Sequence, residues 1–154
     1  HKGKREHHIV NSLYLKPDEL EKSVADRFAR YETIKENETD AELYLTEDCD
    51  ILLCAYGATA RVVKSAVNEA RAMGIKAGLF RPKTLWPFPV KELNEAAKSA
   101  KKLLSVEMSM GQMIDDIKLA INCSKPVEFY GRTGGIIPNP AEILAEIKKV
   151  GGAE

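Results

Sequence analysis

The residues able to do chemistry are few and unevenly placed. All three histidines, His1, His7 and His8, fall in the first eight positions. No imidazole is left for a site built by the rest of the chain, which excludes Ser-His-Asp and Cys-His mechanisms there. The adjacent His7 and His8 sit on a charged segment and read as solvated rather than metal-binding. Cys49, Cys54 and Cys123 are odd in number and too widely spaced for a CxxC pair. Neither a zinc knuckle nor a four-cysteine iron–sulfur site can be assembled from them. Cys54, inside "DILLCAY", reads as a small core hydrophobe. What remains is Arg81, Glu107 and Arg132. The arginines could grip an anion by bidentate contacts and Glu107 could serve as acid or base. Alternatively Glu107 neutralises one or both arginines as a structural bridge, and that is the favoured expectation.

These residues must be positioned by the elements around them. Residues 1–46 read as an arm followed by a helix: the first sixteen positions lack helical period, and Pro17 opens a helix ending near Asn37 with Leu20, Val24, Phe28 and Tyr31 on one face. "ELYL" (42–45) is a short possible edge strand. Residues 47–154 then alternate apolar runs of strand length with amphipathic helices. The runs are "DILLCAY", "KAGLF", "KLLSVEM" and "PVEFYG", and the helices start near Gly57, Pro89, Gly111 and Pro140. Asn139 with Glu142 has the spacing of a capping box. Strands without polar alternation, separated by helices of about three turns, predict a three-layer, doubly wound α/β domain on a mainly parallel sheet.

In such a sheet the loops after the strands share one edge, where ligands and partners of these folds gather. They read "YGATAR", "FRPKTLWPFP", "EMSMGQM" and "YGRTGGIIPNP". The glycines, among them Gly57, Gly111 and Gly134, suit tight strand-to-helix turns. "GATA" and "MGQM" would aim N–H groups from helix starts toward the edge, a geometry that suits an anion. No GxGxxG and no GxxxxGK[ST] occurs, which argues against nucleotide binding. Pro82 is expected to end its strand, Pro87 to hold the loop extended and Pro89 to begin the next helix, leaving Trp86 and Phe88 on a stiff scaffold. Trp86 reads as an interface or core anchor, and Met108, Met110 and Met113 as a soft apolar surface for protein contact.

Composition narrows the partners. Lysine plus arginine and aspartate plus glutamate number 23 each, so no one-signed field exists to draw nucleic acid or an anionic membrane. No apolar run reaches the roughly 18 residues of a membrane span, and no signal-type stretch follows the charged N-terminus. The chain reads as cytoplasmic.

At the four loops the sequence also resembles a known family. "GLFRPKTLWPFP", "SVEMSMGQMIDDIKLAIN" and "EFYGRTGGIIPNPAEIL", in this order and spacing, are similar to the C-terminal part of the alpha subunit of 2-oxoacid:ferredoxin oxidoreductases. "REHHIVNSLYLKPDELE" resembles the segment joining that subunit's two domains in the 2-oxoisovalerate type. The resemblance implies a transketolase C-terminal-like domain of an enzyme that converts a 2-oxoacid to its acyl-CoA with thiamine diphosphate and passes electrons through iron–sulfur clusters to ferredoxin. It implies thiamine diphosphate, Mg and clusters for the whole enzyme and none in this chain, which lacks a thiamine GDG motif. It implies as partners a thiamine-binding beta subunit and a cluster-bearing subunit, with homo-oligomeric contacts, and an isolated fragment without turnover. Arg81, Pro82, Trp86, Glu107, Gly111, Gln112, Gly131, Arg132 and Gly134 match the family's motif positions, and with Gly57, Phe88 and Thr133 they are the candidate interface or ligand-edge residues. Two other readings remain: an anion- or CoA-binding regulatory module, and the equivalent domain of a transketolase or of a 2-oxoacid dehydrogenase E1 beta subunit.

Overall fold

A computed structural model describes residues 3, 4, 6, 8 and 11–152. His7, and with it the His7–His8 pair, lies outside the described residues. The chain divides into two compact units, His1–Asn37 and Glu38–Glu154. The first is built on one helix, α1 (Pro17–Asn37), which opens at the expected proline with Asp18 and Glu19 in its first turn. None of its residues is buried, and Leu20 and Phe28 are exposed.

The second unit holds a five-stranded sheet. Its elements run β1 (Ala41–Tyr44), β2 (Ile51–Cys54), α2 (Gly57–Ala72), β3 (Ala77–Pro82), α3 (Val90–Ala96), β4 (Lys102–Glu107), α4 (Met113–Ala120), β5 (Val127–Gly131) and α5 (Pro140–Gly151). The strand order, which periodicity could not give, is β1-β3-β2-β4-β5. β1 is antiparallel to β3 and every other pairing is parallel. The short strand expected at 42–45 is therefore the edge strand, shifted by one residue. It lies ahead of the expected division at residues 46 and 47, and its register sets Glu42 opposite Arg81.

The uniformly apolar strands are explained by helices on both faces. On one face, Leu53, Leu79, Leu104 and Val106 pack with Val63 and Val67 of α2 and Ile143 and Ile147 of α5. On the other, Leu52, Phe80 and Leu103 pack with Leu93 of α3 and Met113 and Ile117 of α4. Each fully buried Leu, Ile or Phe contributes about 1.5–3 kcal/mol of transfer free energy, so both layers are held mainly by apolar burial. Cys54 is fully buried in the second layer, as expected, and desolvation pushes its thiol well above the usual range.

Two backbone features tie the edge strand down. Leu45, just after β1, has φ 54°, and Arg71 of α2 donates to its carbonyl at 2.8 Å and to that of Ala77 at 2.7 Å. A Cβ at position 78 would meet the Leu45 oxygen at 2.6 Å, which is why glycine occupies mid-strand there.

Three details depart from expectation. Pro89 is the N-cap of α3, not its first residue. Met113 is buried in the core, whereas Met108 and Met110 are exposed. The Trp86–Pro87 peptide bond is cis, a geometry the sequence does not indicate.

Candidate functional site

The carboxyl ends of β2, β3, β4 and β5 line one edge of the sheet, and Glu107 is its most highly engaged residue. It is the last residue of β4, 1% exposed. Its Oε1 accepts from Ser105 Oγ at 2.8 Å and Ile114 N at 2.9 Å. Its Oε2 accepts from Ser109 Oγ at 2.9 Å and from Gln112 N and Met113 N, each at 3.0 Å. Burial pushes the carboxyl up, but the backbone N–H and hydroxyl donors outweigh it and hold it below the ordinary glutamate range. Glu107 thus fills the anion-attracting start of α4 with the chain's own charge. It contacts neither Arg81 nor Arg132, so the expected bridge is not formed: the helix N–H groups directly above β4 compete successfully for the carboxylate.

Each arginine has a different carboxylate. Arg81 Nη1 donates to Glu42 Oε2 at 3.0 Å, the cross-strand pair set by the β1–β3 register, and Lys64 holds the other Glu42 oxygen at 2.6 Å. Arg132 Nη1 reaches Glu142 Oε1 at 3.4 Å. Glu142 also accepts from Tyr130 Oη and from Asn139 N, both at 3.1 Å, completing the capping box of α5. The Asn139 N–H, with Tyr130 and Arg132, holds Glu142 below the usual carboxylate range. Ser105, Ser109 and Glu42 were not singled out from the sequence, and Glu142 only as half of a capping box. The Glu42 pairing needed the strand order.

The remaining predicted residues frame these groups. Gly111 has φ 105° and brings its N–H to Ser109 Oγ at 3.2 Å. A Cβ on Gly131 would sit 2.5 Å from Phe129 Cζ and closer still to the Ser109 oxygen, so glycine is needed where β5 passes the β4 loop. Gly57 and Gly134 both have positive φ; Gly134, Thr133 and Gln112 lie exposed. Pro82 and Pro87 are buried, Phe88 packs on the second core layer with its ring 6.2 Å from that of Phe80, and Trp86 is 55% exposed. The loop is anchored by Lys83 N and Thr84 N, which donate to the Asp40 carbonyl at 2.9 and 3.2 Å.

The edge therefore brings together neutralised charges and exposed apolar surface. Leu85, Trp86, Met108, Met110, Ile136 and Ile137 are all large and exposed, Met110 at 83%. Leu85, Ile136 and Ile137 were missed in the sequence because flanking prolines and glycines drew the reading. Among the described residues no group of three or more His, Cys, Asp or Glu side chains converges on a point where a metal could bind. No helix among them is long and apolar enough to cross a membrane.

The comparisons with known proteins agree with this architecture. The chain is 45% identical over 144 residues to the ketoisovalerate oxidoreductase subunit VorB of Methanothermobacter marburgensis, an alignment covering 94% of this chain and 41% of that subunit. The chain thus spans about two-fifths of the length of the curated VorB subunits it matches. In fold it is similar to a 2-oxoglutarate:ferredoxin oxidoreductase from Magnetococcus marinus, determined with 2-oxoglutarate, coenzyme A and succinyl-CoA bound. The TM-score is 0.72 at 24% identity, over 88% of this chain and 24% of that one. A split-gene transketolase, an inactive beta4 tetramer, matches at TM-score 0.58 and 16% identity over 71% of this chain and 40% of its own. The three-layer transketolase-like α/β fold is thereby established. Residues 49–143, from the cysteine before β2 into α5, match the pyruvate:ferredoxin oxidoreductase core domain II, and the chain belongs to that family.

Proposed function

We propose that this chain is the non-catalytic, transketolase C-terminal-like domain of a thiamine-diphosphate-dependent 2-oxoacid:ferredoxin oxidoreductase of the 2-oxoisovalerate type, and that its carboxyl edge docks onto other parts of that enzyme. The observation that carries the reading is the composition of the edge. Glu107, Arg81 and Arg132 are consumed by internal partners, while six large apolar side chains stand exposed beside them. Exposed apolar area of this kind marks a protein contact, and methionine and tryptophan suit one. Thiamine diphosphate with Mg, and the iron–sulfur clusters, belong in this reading to other parts of the assembly. The partners are the thiamine-binding subunit and the cluster-bearing subunit, with ferredoxin reached through them, in the cytoplasm. The similarity to VorB, at 45% identity, supports 2-oxoisovalerate over other 2-oxoacids.

Two experiments test this. The chain alone, given 2-oxoisovalerate, CoA and thiamine diphosphate, is expected not to reduce viologen; 2-oxoacid-dependent reduction would overturn the non-catalytic reading. Met110→Glu combined with Trp86→Ser is expected to abolish co-purification with the thiamine-binding subunit while leaving the chain folded. Unchanged assembly sinks the docking reading.

A further inference from the structure

Most carboxylates at or beside the carboxyl edge have donors of their own. Arg81 and Lys64 hold Glu42, the start of α4 holds Glu107, Tyr130 and the Asn139 N–H hold Glu142, and Lys83 holds Asp40 at 3.1 Å. Glu92, in the first turn of α3, is the exception. Its Oε2 is buried and makes no hydrogen bond, the one side-chain nitrogen or oxygen among the described residues in that state. Its Oε1 takes only the Thr39 hydroxyl, at a long 3.4 Å. No lysine or arginine among the described residues forms an ion pair with it.

The local sequence explains why this oxygen is orphaned. A glutamate at the third helical position ordinarily reaches back to the N-cap N–H, as Glu142 of α5 does to Asn139 N at 3.1 Å. In α3 the N-cap is Pro89, which has no N–H to give. The same residue type at the same position therefore has a donor in α5 and none in α3. An unpaired buried carboxylate oxygen lowers the stability of the chain alone, and a group kept at such a cost calls for a role outside the free fold.

The position of Glu92 indicates what answers it. Thr39 precedes Asp40, whose carbonyl anchors the 83–89 loop through Lys83 N and Thr84 N. Glu92 thus lies at the foot of the loop that exposes Leu85 and Trp86, and its carboxylate is continuous with the apolar docking surface. Glu92 is itself only half-buried, and a turn about its broad terminal torsion presents both oxygens to that surface. One unpaired oxygen beside one weakly engaged oxygen suits the two-pronged fork of a guanidinium better than the single point of an ammonium.

We propose that Glu92 is the ionic contact of the docking edge, and that on assembly it accepts an arginine side chain of the protein that covers Leu85 and Trp86. The inference rests on the docking reading and adds to it the charge of the partner, which is basic where it meets the foot of this loop.

The test joins two measurements on the 154-residue chain: urea denaturation of the chain alone, and its affinity for the thiamine-binding subunit as salt is raised. Glu92→Met should raise the urea midpoint of the chain alone by about 0.5–1 M, because the unpaired oxygen is gone. It should nevertheless weaken binding about 10–100-fold, the size of a hydrogen bond between charged groups. Glu92→Gln should weaken binding about tenfold and flatten its salt dependence. The proposal is overturned if Glu92→Gln binds as the unaltered chain does, or if Glu92→Met is no more stable alone. Should Glu92→Met fail to fold, the affinity and salt dependence of Glu92→Gln decide. Met110→Glu with Trp86→Ser, measured alongside, separates this inference from the reading beneath it. If that double variant loses binding while Glu92→Gln keeps it, docking stands and the arginine contact falls. If only Glu92→Gln loses binding, the ionic contact stands and apolar docking falls; if neither does, both fall.

Discussion

Replacing Glu107 with glutamine removes one charge from the centre of the edge with almost no change of shape. The carboxylate accepts five hydrogen bonds, two on Oε1 and three on Oε2. A glutamine can keep the three-donor side by placing its carbonyl there. Its NH₂ then faces Ser105, whose hydroxyl can turn to accept, and Ile114 N, which cannot. One orphaned buried N–H costs about 1–3 kcal/mol, and the three retained bonds each fall from charge-assisted to neutral strength, roughly 1 kcal/mol apiece before non-additivity. Loss of the charge at the α4 start removes about 0.3–1 kcal/mol more. Less-than-additive coupling within one hydrogen-bond network brings these contributions to an expected cost of about 3–5 kcal/mol, a large part of the roughly 5–15 kcal/mol that holds a domain of this size. At a urea dependence of about 1.5 kcal/mol/M, the midpoint should fall by about 2–3 M. The sign of the pH dependence follows from the lowered carboxyl. Its stabilisation is fully present above the unfolded value of about 4.3 and is lost as pH falls through the lower folded value. The gap between unaltered chain and variant should therefore narrow below about pH 4. A loss under about 1 kcal/mol at pH 7, or a gap unchanged down to pH 3, would refute the reasoning.

Gly131→Ala should cost about 1–3 kcal/mol in the same denaturation assay, because its Cβ would press on the Ser109 carbonyl and on Phe129 Cζ at 2.5 Å; a neutral substitution would contradict the crowding. Cys123 is exposed, whereas Cys49 and Cys54 are buried and desolvation raises both their thiols. Iodoacetamide followed by mass spectrometry should find Cys123 modified first and the other two only on unfolding. Equal rates would show that the second core layer opens readily.

The strands and helices were legible because a sheet covered on both faces leaves continuous apolar runs, and because Pro17 and the Asn139–Glu142 pair punctuate the helices by their own chemistry. The pairing of charges was not legible. Arg81 meets Glu42 only because β1 adds antiparallel to β3, a contact between residues far apart in the chain that no local pattern encodes. Glu107 was expected to meet an arginine, since charge suggests charge. The start of α4 offered it three N–H groups instead, a competition visible only once the turn from Met108 to Gln112 has a shape. Trp86 stands exposed on the edge loop whereas Phe88 packs onto the core, and the cis bond between Trp86 and Pro87 leaves no trace in composition.

The central claim is that the carboxyl edge is covered in the assembled enzyme. Amide hydrogen exchange of this chain, measured alone and in complex with the proposed thiamine-binding and cluster-bearing subunits, tests it most directly. Protection is expected to rise in loops 83–89, 108–112 and 132–139 and to stay unchanged in the opposite-edge turns 73–76 and 122–126. Protection confined to the opposite edge, or no change in the three loops on assembly, would contradict the account.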